Sequence, residues 1–190
     1  VGDSGVGKSS LLNQLIISNK NKGNPIRKNK DDENYYFDNQ IKKTIGVDFK
    51  RTTISLEKSD IKVCLDFFDT SGDLNYLDIT KSYFYNVQAF LLVYDVNSME
   101  SFLNCKYWLD HINNLNPKYQ NNDLIKILIG CKCDSNILKG DSNRRAVPMR
   151  KAKKFAKQNG FVLFYETSAK DNINFKELFE EICLELISNY

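Results

Sequence analysis

Gly2-Asp3-Ser4-Gly5-Val6-Gly7-Lys8-Ser9 is the string in this 190-residue chain whose residue types and spacing most narrowly define a chemistry. It satisfies G-x-x-x-x-G-K-[ST], and a helical run over 9–17 follows directly. Glycines in such a loop let successive backbone N–H groups turn onto a phosphate without a Cβ in the way. Lys8 adds a point charge, and the Ser9 hydroxyl at the positive end of the helix suits Mg²⁺. A nucleoside di- or triphosphate is implied, held by Ser4, Gly5, Val6, Gly7, Lys8, Ser9 and Ser10. A second constellation, Asp69-Thr70-Ser71-Gly72, ends an apolar stretch, where phosphate-loop proteins place the carboxylate that supports Mg²⁺ through water. By itself an Asp and a Gly after a strand is ordinary turn chemistry. The phosphate loop gives it meaning.

The elements that must position these residues are legible from periodicity. Segments 49–56, 61–68, 89–96, 124–130 and 161–167 read as strands, separated by helical patterns. Phe102, Lys106, Leu109 and Asn113 lie on one helical face, and Trp108, Ile112 and Leu115 widen the apolar stripe. Phe175, Leu178, Phe179, Ile182 and Leu186 form another. Pro148 and Gly160 bracket a helix over 150–159. The alternation predicts an α/β fold with a mainly parallel sheet and helices on both faces. The pair 49–56 and 61–68, joined by a polar turn at 57–60, is its one antiparallel hairpin. Trp108 and the single histidine, His111, are assigned to helix packing. The opening inside a motif reads as a first strand largely missing from the sheet.

Composition bounds the alternatives. Apolar residues at 42% and charged residues at 27% can build one core, which excludes wholesale disorder. Apolar runs such as 89–94 are too short to span a bilayer. A net charge of +3, from 27 basic and 24 acidic side chains, does not argue for a nucleic-acid partner. Asn and Lys number 22 each, a bias that warns against overreading basic runs. It concentrates in 18–34, which reads as a flexible low-complexity insertion in a single domain, 1–190. Five cysteines are an odd number in a chain of this size and favour a reducing compartment over a disulfide scaffold. Cys131 and Cys133 lack the further ligands of a tetrahedral zinc site.

Further strings occur in a telling order: Thr44-Ile45-Gly46-Val47-Asp48-Phe49, Leu92-Val93-Tyr94-Asp95-Val96, Gly130-Cys131-Lys132-Cys133-Asp134 and Glu166-Thr167-Ser168-Ala169-Lys170. With the phosphate loop, Asp69 to Gly72, the 101–112 helix and Tyr83-Phe84-Tyr85, the sequence resembles the Rab-type small GTPases of the Ras superfamily over essentially its whole length. The resemblance implies a phosphate-loop GTPase fold with a mixed, mostly parallel six-stranded sheet. It implies GTP and GDP as ligands with Mg²⁺, and GTP hydrolysis positioned by Lys8, Thr44 and Gly72. Mg²⁺ would be held by Ser9, Thr44 and, via water, Asp69. Asp134, Lys132, Ser168, Ala169 and Lys170 would form the guanine site, with Phe37 over the base edge. About 17 residues are surplus between Lys8 and Phe37, matching the 18–34 tract. Ile45, Phe49, Phe68 and Tyr83 would meet effector, exchange-factor and activating proteins. A cytoplasmic protein of vesicle trafficking, peripheral at an endomembrane, is implied.

Three departures qualify that resemblance. Asp73 stands where most members carry the glutamine that orients the attacking water, and a carboxylate lacks the amide donor; slow hydrolysis is expected. Cys131 replaces the asparagine of N-K-x-D, and a thiol is a weak hydrogen-bond group, so about 1–2 kcal/mol, or roughly tenfold in affinity, is expected to be lost. The C-terminal Ile187-Ser188-Asn189-Tyr190 carries no prenylation motif, so membrane association would need a tail beyond it. An atypical Rab-like branch with a C-terminal J domain shares the divergent switch and the missing lipid site. A non-catalytic, nucleotide-stabilised binding module is the competing reading. An ATP-using enzyme is disfavoured, since Asp134 suits the ring donors of guanine.

Overall fold

A computed structural model describes residues 1–20, 43–56, 61–115, 124–136 and 145–189. Five helices and five strands are found among them: α1 (Lys8–Lys20), β1 (Val47–Ser55), β2 (Lys62–Thr70), α2 (Leu77–Thr80), β3 (Ala89–Asp95), α3 (Met99–Leu115), β4 (Ile125–Cys131), α4 (Met149–Gln158), β5 (Leu163–Thr167) and α5 (Phe175–Ser188). β1 and β2 pair antiparallel, while β3, β4 and β5 form a parallel sheet in that order. Every residue of β4 is buried, as expected of a parallel strand covered on both faces. One apolar layer joins Leu11 and Leu15 of α1 and Leu178 and Ile182 of α5 to the sheet; the opposite layer joins Phe102, Trp108, Ile112 and Ala152 of α3 and α4.

The expected mixed sheet is thus present as five strands in two sheets. Between β2 and β3 lies a cavity of about 470 Å³, lined by Leu11, Leu15, Leu65, Phe67, Leu91 and Ile182 among others. Val1 reaches its edge, where Val93 N–H donates to the Val1 carbonyl at 2.9 Å.

Two boundaries differ from the sequence expectation in ways that matter for the site. The β1–β2 ladder runs on to pair Val47 with Thr70 and Asp48 with Asp69, and Ser71 N–H donates to the Gly46 carbonyl at 2.7 Å. Asp69 is therefore held inside a strand, not in the turn after it. α1 continues through Lys20, three residues into the expected insertion, with the Ser18 hydroxyl donating to Asn172 at 2.8 Å. The rest of the 18–34 tract, Phe37 and the 57–60 turn lie outside the described residues.

Candidate functional site

The phosphate loop wraps the N-terminus of α1. Gly7 has φ of 113°, a region closed to most side chains, and an added Cβ would also press on the Cys131 Cβ at 3.3 Å. Leu11 N–H donates to the Gly7 carbonyl at 2.8 Å and closes the first helical turn. The Lys8 ammonium turns back over the loop, donating to the Gly2 carbonyl at 2.9 Å and the Asp3 carbonyl at 2.8 Å. Burial lowers its pKa to about 8, opposed by the negative charges of Asp69 and Asp3. A half-buried ammonium whose hydrogen bonds, among the described residues, go to backbone carbonyls is suited to meet an anion at this place.

Three oxygens converge at the head of α1. The Ser9 hydroxyl donates to Asp69 Oδ2 at 2.5 Å and lies 3.0 Å from Thr44 Oγ1, which itself donates to Asp69 Oδ2 at 3.4 Å. One carboxylate and two hydroxyls make an all-oxygen set that fits Mg²⁺, an ion that keeps water and ligand phosphate in the rest of its octahedron. Among the described residues no group of three His, Cys, Asp or Glu side chains offers a competing cage. Gly72 closes the far wall: a Cβ there would fall 2.3 Å from the Asp3 carbonyl carbon and the Ser4 nitrogen, so only glycine admits this approach.

A cavity of about 170 Å³ bounded by Ser4, Gly5, Gly7, Lys8, Ser9, Thr44 and Gly72 adjoins a second of about 160 Å³ bounded by Cys131, Lys132, Asp134, Thr167, Ala169 and Lys170. They share Gly7 and Ser10, so one elongated ligand can occupy both. Val6 is buried beneath the loop in the apolar layer against α1. In the second cavity Lys132 takes φ of 65°, uncommon for a residue with a side chain. Its ammonium fixes this turn by donating to the Gly5 carbonyl at 2.8 Å and pairing with Asp95 at 2.7 Å. Ser168 donates to Asp134 Oδ1 at 2.8 Å, which aims the carboxylate. Glu166, next in the strand below, is buried and forms a forked ion pair with Arg145, one arm at 2.9 Å. Cys131 is also buried, 3.8 Å from Thr167 Oγ1, and burial pushes its thiol pKa up to about 12.

Asp73 does not act on the loop in this structure. Its carboxylate accepts the Asn75 N–H at 3.0 Å and caps the short 3₁₀ turn Leu74–Tyr76 that leads into α2. Outside the cleft, Phe49, Phe68 and Tyr83 form an exposed aromatic row, with centroids 5.5 and 5.3 Å apart, and Ile45 is 77% exposed.

Sequence reasoning missed three residues. Trp108 is 2% exposed and packs as expected, but its indole N–H also donates to Asp3 Oδ1 at 2.7 Å. Asn104, one turn earlier, donates to Asp3 Oδ2 at 2.8 Å. Asp3 and Trp108 are 105 residues apart, and only the Asn104/Trp108 spacing on one helix face hinted at a shared partner.

The Ras family model matches residues 32–188. The chain is 38% identical over 179 residues to GTP-binding protein YPTM1 of Zea mays, covering 94% of the chain and 72% of that protein. It is 36% identical over 186 residues to Ras-related protein RAB1BV of Beta vulgaris, covering 98% of the chain and 73% of that protein. The chain belongs to the Ras family, as a Rab-like small GTPase.

Proposed function

We propose that this protein is a Mg²⁺-dependent guanine-nucleotide switch of Rab type that hydrolyses GTP slowly and serves vesicle trafficking. The observation that carries the reading is the convergence of Ser9, Thr44 and Asp69 beside Lys8, with Gly72 packed on the same loop. The loop N–H groups and Lys8 bind the phosphates, and Asp134, Lys132, Ser168, Ala169 and Lys170 bind the guanine. Mg²⁺, when bound, would neutralise developing phosphate charge, held by Ser9, Thr44 and Asp69. Thr44 and Gly72 sit on segments tied together by the Ser71–Gly46 hydrogen bond, so loss of the γ-phosphate loosens both at once. Phe49, Phe68, Tyr83 and Ile45 present the surface that effector, exchange-factor and activating proteins would read. The whole chain acts as one domain, with 18–34 as an insertion before the first switch. Among the described residues no helix is long and apolar enough to cross a membrane; peripheral attachment at an endomembrane is what the Rab resemblance suggests.

Slow hydrolysis follows from Asp73, which lacks an amide and is engaged in capping. Single-turnover hydrolysis of preloaded GTP tests the proposal against its rival, a non-catalytic binding module. The switch predicts slow turnover that Asp73→Gln accelerates by about tenfold, within the range for positioning a water. GTP held without turnover in both proteins supports the module.

A further inference from the structure

The phosphate loop carries a carboxylate of its own, Asp3, one residue before Ser4. A negative side chain at that position opposes the loop's purpose twice over: it repels phosphate, and it competes for the Lys8 ammonium, already 2.8 Å from the Asp3 carbonyl. The structure gives each carboxylate oxygen a neutral N–H donor on the same face of α3, Trp108 Nε1 to Oδ1 at 2.7 Å and Asn104 Nδ2 to Oδ2 at 2.8 Å. We propose that Trp108 and Asn104 are positioning residues that hold the Asp3 carboxylate away from the phosphate pocket and leave Lys8 free for the ligand. The inference rests on the nucleotide reading above and adds a device to it.

The arrangement makes α3 part of the binding site without touching the ligand. Trp108 is buried in the layer between α3 and the sheet, so its indole is fixed by packing before it meets Asp3. Gly72 lies against the backbone of Asp3 and Ser4 on the other side. The Asp3 segment is thereby held between α3 and the second switch, with its backbone carbonyl already on the Lys8 ammonium.

The test is the release rate of fluorescently labelled GDP from the full chain with Mg²⁺, in Trp108→Phe, Asn104→Ala and their combination, each with and without Asp3→Ala. Loss of both donors should speed release by about tenfold, the scale of hydrogen bonds to a charged group. Adding Asp3→Ala to the double variant should restore slow release to within about twofold of Asp3→Ala alone, since no carboxylate then needs holding. Rescue is the readout that a purely structural contact would not give. A triple variant as fast as the double, or faster, overturns the inference, as does unchanged release in the double variant. Should Trp108→Phe fail to fold, Asn104→Ala with and without Asp3→Ala makes the same comparison. Failure of the unmodified chain to bind GDP removes the nucleotide reading itself, and is seen in the same assay.

Discussion

In the proposed reading, the phosphate end of the cleft draws its contacts from backbone, a half-buried lysine and three close oxygens, and the base end draws them from side chains hung on a turn whose family asparagine is a cysteine. The phosphate end is over-determined. Gly7, Gly72, the Lys8 contacts and the extended β1–β2 ladder each fix it independently. The base end depends instead on side chains: a positive-φ lysine held by Gly5 and Asp95, one Ser168–Asp134 hydrogen bond and the Arg145–Glu166 pair beneath. Phosphate binding should therefore be strong and little dependent on the base, while selectivity among bases is the property most open to change.

That contrast can be broken most forcefully at Lys8. Lys8→Ala removes the ammonium that donates to the Gly2 and Asp3 carbonyls and should weaken GDP and GTP binding by a hundredfold or more, roughly the scale of a charge-assisted contact, as read by equilibrium titration. Asp134→Ala should weaken GDP binding by about thirtyfold while leaving inorganic pyrophosphate competition nearly unchanged, because only the base end is touched. Cys131→Asn sharpens the comparison in the opposite direction. Thr167 Oγ1, 3.8 Å from the present thiol, is placed to partner the new amide, and GDP affinity should rise by about tenfold. The smallest effect is chemical. Burial raises the thiol pKa of Cys131 and Cys105 to about 12, so both stay protonated and enclosed at pH 8, and iodoacetamide followed by peptide mass analysis should label exposed Cys64 well before either.

The phosphate loop and the base motifs could be singled out in the sequence because they are local strings whose spacing encodes backbone geometry. Gly7 before Lys8-Ser9 and Asp134 two residues after Lys132 need no tertiary knowledge to be singled out. The helix brackets at Pro148 and Gly160 were readable for the same reason, and α4 spans Met149–Gln158 between them. What escaped was non-local. The strand extension that brings Asp69 into register with Asp48 depends on cross-strand pairing, and the partnership of Asp3 with Trp108 depends on how α3 packs. Asp73 shows a third kind of gap: its type announced a missing amide, but not that its carboxylate would be taken up as a helix cap. Phe37 lies outside the described residues, and its place over the base edge is an expectation from the sequence.

The central claim is that the cleft is a guanine-nucleotide site with Mg²⁺ at its phosphate end. Parallel titrations of GDP and ADP, each with Mg²⁺ and with EDTA, test it most directly. The account predicts that GDP binds about a hundredfold more tightly than ADP and is released faster when Mg²⁺ is removed, because Asp134 recognises guanine and Ser9, Thr44 and Asp69 hold the ion. Binding of ADP as tight as GDP, or GDP retention indifferent to EDTA, would contradict it.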